Sequence, residues 1–431
     1  MNKIKKLFGK VDWLVLLVFF YFNFTFTIKN ISTINNLLIY AICIIYLCIN
    51  YKLLWKIVKN IPKTAFFLTI ISFIICALAA VIIPIIYKTN DFSYTDTLLS
   101  IPRTGIKLLF IVVLMYKRFD GKIDTEKFSK YYVATCVLYF ISTLIFICIP
   151  SLKYFWNDII NDSSFAKYEK ESYYITRYGL MGFSGFQVAF KFAIACCLSV
   201  YLIMTEQCKI KKQNIWIYIS YVALIAGTFM YGRIGMVASL INSIFLVIAV
   251  FRQNKKLLLF LLLTIIIFSL VAAALYNMNK TTQKWVKWAF APFISLFETG
   301  KIYTGSSDIV FNRMIFMPET KTLFLGDGLY KDPNGKGYYK HTDVGFMRPT
   351  LFYGCILTAI GYMIAIIPMI SVIKSGKKEK NSNLVLLMLM LFNTLIVFEI
   401  KGEIFYRLAP LIITYLIIKN IEGEKKEIER N

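Results

Sequence analysis

Histidine and acidic residues are scarce in this chain. Its 431 residues hold 24 Asp and Glu against 49 Lys and Arg, and a single histidine. One histidine, with no HExxH and no CxxC, excludes the usual zinc sites. No GxxxxGK[ST] occurs, so the chain lacks a P-loop of its own. No D-x-D pair occurs to hold a metal-bound nucleotide-sugar. Charged residues make up only 17%, where a soluble protein carries nearer a quarter. The nine cysteines are an odd number, and eight of them lie in apolar runs. Cys208 sits in a short basic loop, and no long loop holds a pair, so no disulfide framework is expected.

What the chain does have is apolar sequence, 58% of it. It comes in runs, many of 17 to 25 residues, and a helix needs roughly 20 apolar residues to cross a bilayer. The runs predict twelve spans, at about 11–28, 34–50, 64–86, 97–116, 131–150, 180–204, 214–231, 234–251, 257–276, 345–373, 383–400 and 404–419. The expected fold is an all-α integral membrane protein, one polytopic domain of about twelve transmembrane helices. The first run follows Lys3, Lys5, Lys6 and Lys10 and has no small-residue cleavage site after it, so it reads as a retained anchor.

The net charge of +25 invites a nucleic-acid reading, but the basic residues sit between spans, where topology explains them. With the N-terminus inside, seven short cytoplasmic segments hold 27 Lys and Arg. The short outer loops hold one each, at Lys29, Lys88, Arg233 and Lys401. This is the positive-inside pattern, unbroken along the chain, and it puts both termini in the cytoplasm. The two longer loops, 151–179 and 277–344, then face out. The second opens with aromatics (Trp285, Trp288, Phe290, Phe293) suited to a membrane surface. It continues with a helix from Ser307 and Asp308 to Met317, ended by Pro318, and then a Gly-rich turn region, LGDGLYKDPNGKGYY.

Charges inside spans are costly, so they mark the informative positions. Arg103 and Lys107 share a face of the fourth span. Ser184, Gln187 and Lys191 share a face of the sixth. Arg348 lies in the tenth and Arg407 in the twelfth, with Arg177 and Arg233 at span edges. Most of these fall at the outer boundary, where topology does not favour positive charge. One reading is an outward basic cavity for an anion, since guanidinium forks bind phosphate well. The other is snorkelling to headgroups or structural pairing, and Glu403, one turn before Arg407, is a candidate pair. His341 lies two residues from Asp343 and seven from Arg348. It reads either as half of a His–carboxylate general base or as a loop histidine with Asp343 capping a helix.

Three stretches carry a resemblance. They are YGRIGM at Tyr231–Met236, NRMIFMPETKTLFLGDG with Arg313 about a dozen residues before a Gly-x-Gly, and HTDVGFMRPTLFYGCI around Arg348. With the many spans and one dominant late outer loop, the chain resembles Wzy-type polysaccharide repeat-unit polymerases, within the O-antigen ligase/polymerase superfamily. The resemblance covers most of the layout, but in residues only about 177–361. It implies a GT-C-like, metal-independent membrane glycosyltransferase in the bacterial cytoplasmic membrane, without cofactor. Its substrate would be an undecaprenyl-pyrophosphate-linked oligosaccharide, and its neighbours membrane lipids, a flippase and a chain-length regulator. Pyrophosphate would rest on Arg177, Arg233, Arg313, Arg348, Arg103, Lys107 and Lys191 with Gln187. Aromatics of the outer loop (Tyr303, Tyr330, Tyr338, Tyr339) would pack on sugars. Arg233, Arg348, His341 and Asp343 would do the chemistry, and His341 roughly matches a histidine of the ligase relatives. Two alternatives remain. One is ligase-type transfer of finished polymer to an acceptor. The other is a flippase or transporter, which predicts charges along both halves of a path and a two-fold repeat.

Overall fold

The computed structural model describes residues 11–29, 32–59, 61–160, 162, 164–169, 176–207, 215–251, 266, 270, 273–274, 276–278, 280–301, 304–335 and 337–428. The ninth expected span, Cys208 and Tyr303 lie wholly or mostly outside these residues. Six helices among the described residues are long and apolar enough to cross a membrane. They are Lys63–Ile86, Ser93–Arg118, Thr125–Cys148, Gly185–Glu206, Cys355–Lys378 and Ser382–Glu399. This makes the chain a helical membrane protein. A seventh is counted if the bent pair Ile34–Ile49 and Tyr51–Val58 forms one span. The bend there is 83° and has a local cause. The Asn50 side chain donates to the Tyr46 carbonyl at 2.8 Å and accepts from Lys117 Nζ at 2.9 Å, so it competes with the helix for its own backbone.

The remaining expected spans differ in detail. Trp13–Asn23 and Ile215–Tyr231 are shorter apolar helices. The first, at 11 residues, is about 16 Å long, half of a hydrocarbon core. The last helix, Phe405–Ile428, is long enough, but Arg407, Lys419 and Glu422 interrupt its apolar run. The expected tenth span is broken in two. Met347–Tyr353 ends at Gly354, whose φ of 88° no ordinary residue adopts easily, and Cys355–Lys378 starts afresh. Arg348 therefore belongs to a separate short helix and not to the span. Gly305–Ile309 runs on as a π-turn over Val310–Met314, so that helix stops short of Met317. A two-stranded antiparallel pair, Tyr178–Gly179 with Gly182–Phe183, adds a little sheet to the expected all-helical chain.

Contacts group the chain into two compact units. The first is Met1–Leu38 with Glu126–Thr304, and the second Ile39–Thr125 with Gly305–Asn431. At the centre of the first, Gly185–Gln207 packs on Ile215–Tyr231 and Arg233–Phe251. Small residues let these helices close up. A Cβ at Gly235 would sit 3.0 Å from Ala189, and one at Gly232 3.2 Å from it. The glycines of YGRIGM are thus packing residues that bring Arg233 to the helix start. In the second unit Phe405–Ile428 is the buried centre, packed by Ser93–Arg118 and Cys355–Lys378.

Candidate functional site

In the second unit the loop before Met347–Tyr353 is built onto that helix. A short helix leaves its last carbonyls without partners. Here the amides of Asp327 and Gly328 supply them, donating to the Leu351 and Phe352 carbonyls at 2.7 and 2.9 Å. Gly326 and Gly328 have positive φ, and a Cβ at Gly326 would collide with the Phe352 carbonyl. The Gly-x-Gly is therefore a clasp of backbone on backbone. Beyond it, Asp91 accepts the amides of Tyr330 and Lys331, both at 2.7 Å. A bridge pairs Lys331 with Tyr338. Burial raises the Asp91 carboxyl, but these amides and Ser93 outweigh it and hold the group below its ordinary range.

This loop lays Tyr330 and Tyr338 on Arg348. The guanidinium carbon is 3.5 Å from the Tyr338 ring centroid and 4.9 Å from that of Tyr330. Arg348 is only 8% exposed. It donates to the Tyr330 hydroxyl, which in turn donates to Glu403 Oε2 at 2.9 Å. The direct Arg348–Glu403 separation is 3.7 Å. Tyr94 donates to Glu403 Oε1 at 2.9 Å, so the Tyr353 hydroxyl, 3.1 Å from it, must donate to Tyr94. Burial pushes the Glu403 carboxyl up, and Arg348, Tyr330 and Tyr94 pull against it. Arg348 Nε is a buried donor with no hydrogen-bond partner among the described residues.

The pairing expected for Arg407 is replaced. Glu403 lies outside the helix, which begins at Phe405, so the two do not share a helical face and Glu403 turns inward to Arg348. Arg407 donates to the Tyr406 hydroxyl at 3.2 Å. Glu399 caps the new helix, its Oε1 accepting the amides of Ile404 and Phe405 at 2.7 and 3.0 Å. His341 is 74% exposed, and the carboxylate it meets is Asp332 at 3.7 Å, not Asp343. Asp343 is half-buried and is not the cap of Met347–Tyr353, which is Phe346. Tyr339 donates to Asp327 at 3.1 Å. Burial and that carboxylate push its hydroxyl up to about 12. Arg313, on the π-turn, is exposed.

In the first unit a second arginine–aromatic cluster forms. The guanidiniums of Arg177 and Arg233 stand 4.5 and 5.1 Å from the ring centroid of Trp288. Trp288 comes from Lys280–Thr299. Neighbouring Trp285 fixes that helix by donating to Thr176 Oγ1 at 2.9 Å, and Thr176 donates to the Met230 carbonyl at 3.1 Å. Three separate stretches thus bring two positive charges to one indole. Phe290 of the same helix packs on Phe229 at 5.2 Å.

The other expected ligands have local partners. Arg103 pairs with Asp96 at 2.6 Å in an exposed salt bridge. Lys107 stands over the Tyr40 ring at 5.2 Å. Lys191 donates to the Asn23 carbonyl and lies 4.8 Å from the Phe24 ring. Gln187 is half-buried on the same helix. Of the predicted set, then, Arg177 and Arg233 meet in one unit, and Arg348 and Tyr338 meet in the other. Sequence reasoning missed Tyr94 and Trp288's role as a shared platform, and gave Glu403 the wrong partner. A carboxylate in the three-residue gap between the last two apolar runs was the signal available for Glu403.

The chain matches no protein-family model and no curated protein.

Proposed function

We propose that the chain is a membrane glycosyltransferase that polymerises lipid-pyrophosphate-linked oligosaccharide repeat units at the outer face of the bacterial cytoplasmic membrane. The reading takes twelve spans, both termini inside, and a GT-C-like organisation. The observation that carries it is the meeting of Arg177 and Arg233 at Trp288. Two guanidiniums on one platform match the two phosphates of a pyrophosphate. Both arginines lie in segments that the charge pattern puts outside. In this reaction the acceptor hydroxyl attacks the anomeric carbon, the bond from that carbon to the pyrophosphate oxygen breaks, and the lipid pyrophosphate leaves. The arginines offset the charge that develops on the departing oxygen. The hydroxyl's proton passes to water.

In cells carrying Arg177→Ala or Arg233→Ala, single repeat units should accumulate on lipid and long chains should vanish. The rate should fall by about 100-fold or more, as for loss of one charge-stabilising donor. Polymer of normal length from both variants, at normal protein levels, rejects the reading. Lipid-linked long polymer that fails only to reach its final acceptor points to the ligase instead.

A further inference from the structure

The first unit also holds a cavity of about 220 Å³ beside the helix Pro150–Ile160, lined by neither Arg177 nor Arg233. Phe146, Pro150, Lys153, Tyr154, Glu169 and Tyr178 line it. Lys153 is 8% exposed, a rare state for a lysine. Its ammonium is ringed by aromatic faces. The centroids of Phe165, Tyr178, Tyr154 and Phe183 lie at 4.9, 5.5, 5.7 and 5.9 Å. Ring faces attract a cation, but they accept no conventional hydrogen bond. Among the described residues the ammonium makes no hydrogen bond and no ion pair within 4.0 Å. Burial accordingly holds Lys153 below the ordinary lysine range, with Glu169 opposing. Glu169 is also incompletely used, for its Oε1 is buried with no hydrogen-bond partner among the described residues.

The cage is fixed by its surroundings. Phe165 and Tyr178 meet edge to face at 5.3 Å, and Phe146 and Tyr178 at 5.7 Å. Asp162 accepts the amides of Ser164 and Phe183 at 2.9 and 2.7 Å, tying the short strand to the loop. The cavity therefore offers one cation with unfilled donors, ring faces, and one carboxylate oxygen with unfilled acceptor capacity. Ring faces suit the C–H face of a pyranose, and a carboxylate accepts from sugar hydroxyls. The cation calls for one negative charge on the ligand. A phosphate dianion fits worse, since Glu169 would repel it and no second cation lines the cavity among the described residues. The volume is below the roughly 300–1,000 Å³ of pockets for drug-sized ligands, so it suits one sugar ring.

We propose that this cavity binds a single anionic sugar of the hexuronate class, with Lys153 on its carboxylate, the rings on its apolar face and Glu169 accepting from a hydroxyl. The sugar's origin in the repeat unit rests on the polymerase reading, but binding as such needs no catalysis.

The test is ligand-observed saturation-transfer NMR on the purified full chain in detergent, with glucuronate, glucose and glycerol 3-phosphate as probes and inorganic phosphate as a competitor against glucuronate. Glucuronate should bind saturably, and glucose at least about tenfold more weakly, as expected from losing one charge-assisted hydrogen bond. Lys153→Met should abolish the preference for glucuronate, and Lys153→Arg should keep it. Glu169→Gln keeps an accepting oxygen and removes the competing charge, so it should tighten glucuronate. Equal binding of glucose and glucuronate overturns the proposal, as does wild-type glucuronate binding by Lys153→Met or weaker binding by Glu169→Gln. Phosphate or glycerol 3-phosphate binding more tightly than glucuronate overturns it in favour of a headgroup site. The two readings fail separately. Lys153-dependent glucuronate binding beside normal polymer from both Arg177→Ala and Arg233→Ala sinks only the polymerase, and the converse pattern sinks only the sugar site.

Discussion

Glu403 is the residue on which the second unit's polar centre turns. It is 2% exposed, and its two oxygens take Tyr94 and Tyr330 while it faces Arg348. Removing one member of a buried ion pair leaves the other charged and unpaired, which costs about 3–5 kcal/mol. Glu403→Gln should therefore lower the unfolding temperature markedly in detergent. Adding Arg348→Met should restore much of the loss, because the stranded charge is gone. A double variant no more stable than Glu403→Gln alone would show that the two do not act as a pair. Arg348 itself was legible in the sequence, as a charge beside an apolar run. Its partner was not. Glu403 lies one turn before Arg407 only if the helix extends that far back, and Glu399 starts that helix later by capping Ile404 and Phe405. The ring platforms were equally hidden, because Tyr338 and Trp288 reach their arginines across loops whose paths no periodicity encodes.

At the scale of elements, the clasp between Gly326 and Gly354 decides where the short helix ends and the span begins. Gly354 has positive φ, and a Cβ there would meet the Phe324 carbonyl. Gly354→Ala should destabilise by more than about 1 kcal/mol. Gly105→Ala, in a helix with nothing within 4 Å of the new Cβ, should be neutral or stabilising. Thermal unfolding of both variants checks this, and equal effects would refute it. Asp91 anchors the same loop from the start of Ser93–Arg118. Its carboxyl is held below the ordinary range in the folded chain. Its contribution is therefore complete above that range and is lost as pH falls through the lowered folded value. Asp91→Asn should be less stable at neutral pH, and its stability should vary less with pH below about 4. An unchanged acid limb would discount the anchor. The sequence showed this loop only as Gly-rich turns. Glycine marks where backbone comes close, but not which backbone comes close to it.

For the whole molecule, apolar runs located the six helices long and apolar enough to cross a membrane, with most ends shifted by a few residues and the start of the tenth run shifted to Cys355. They did not show the break at Gly354 or the shortness of Trp13–Asn23, since hydropathy averages over both. The sidedness proposed from the charge pattern has a direct readout. In a chain stripped of native cysteines, Asn334→Cys should react with a membrane-impermeant maleimide in intact cells. Lys122→Cys should react only after permeabilisation. The reverse pattern would invert the orientation.

The bend at Asn50 bears on how the chain sits in lipid. If Ile34–Ile49 stands across the bilayer, Tyr51–Val58, turned by 83°, runs nearly in the membrane plane. Tyr51 and Trp55 are 60% and 69% exposed on it, beside Lys52 and Lys56. Aromatic rings settle at headgroup depth, and lysines there are drawn to anionic lipid. Such a helix acts as a float with a charge preference. In that placement the depth of this helix would depend on the surrounding leaflet as well as on the protein.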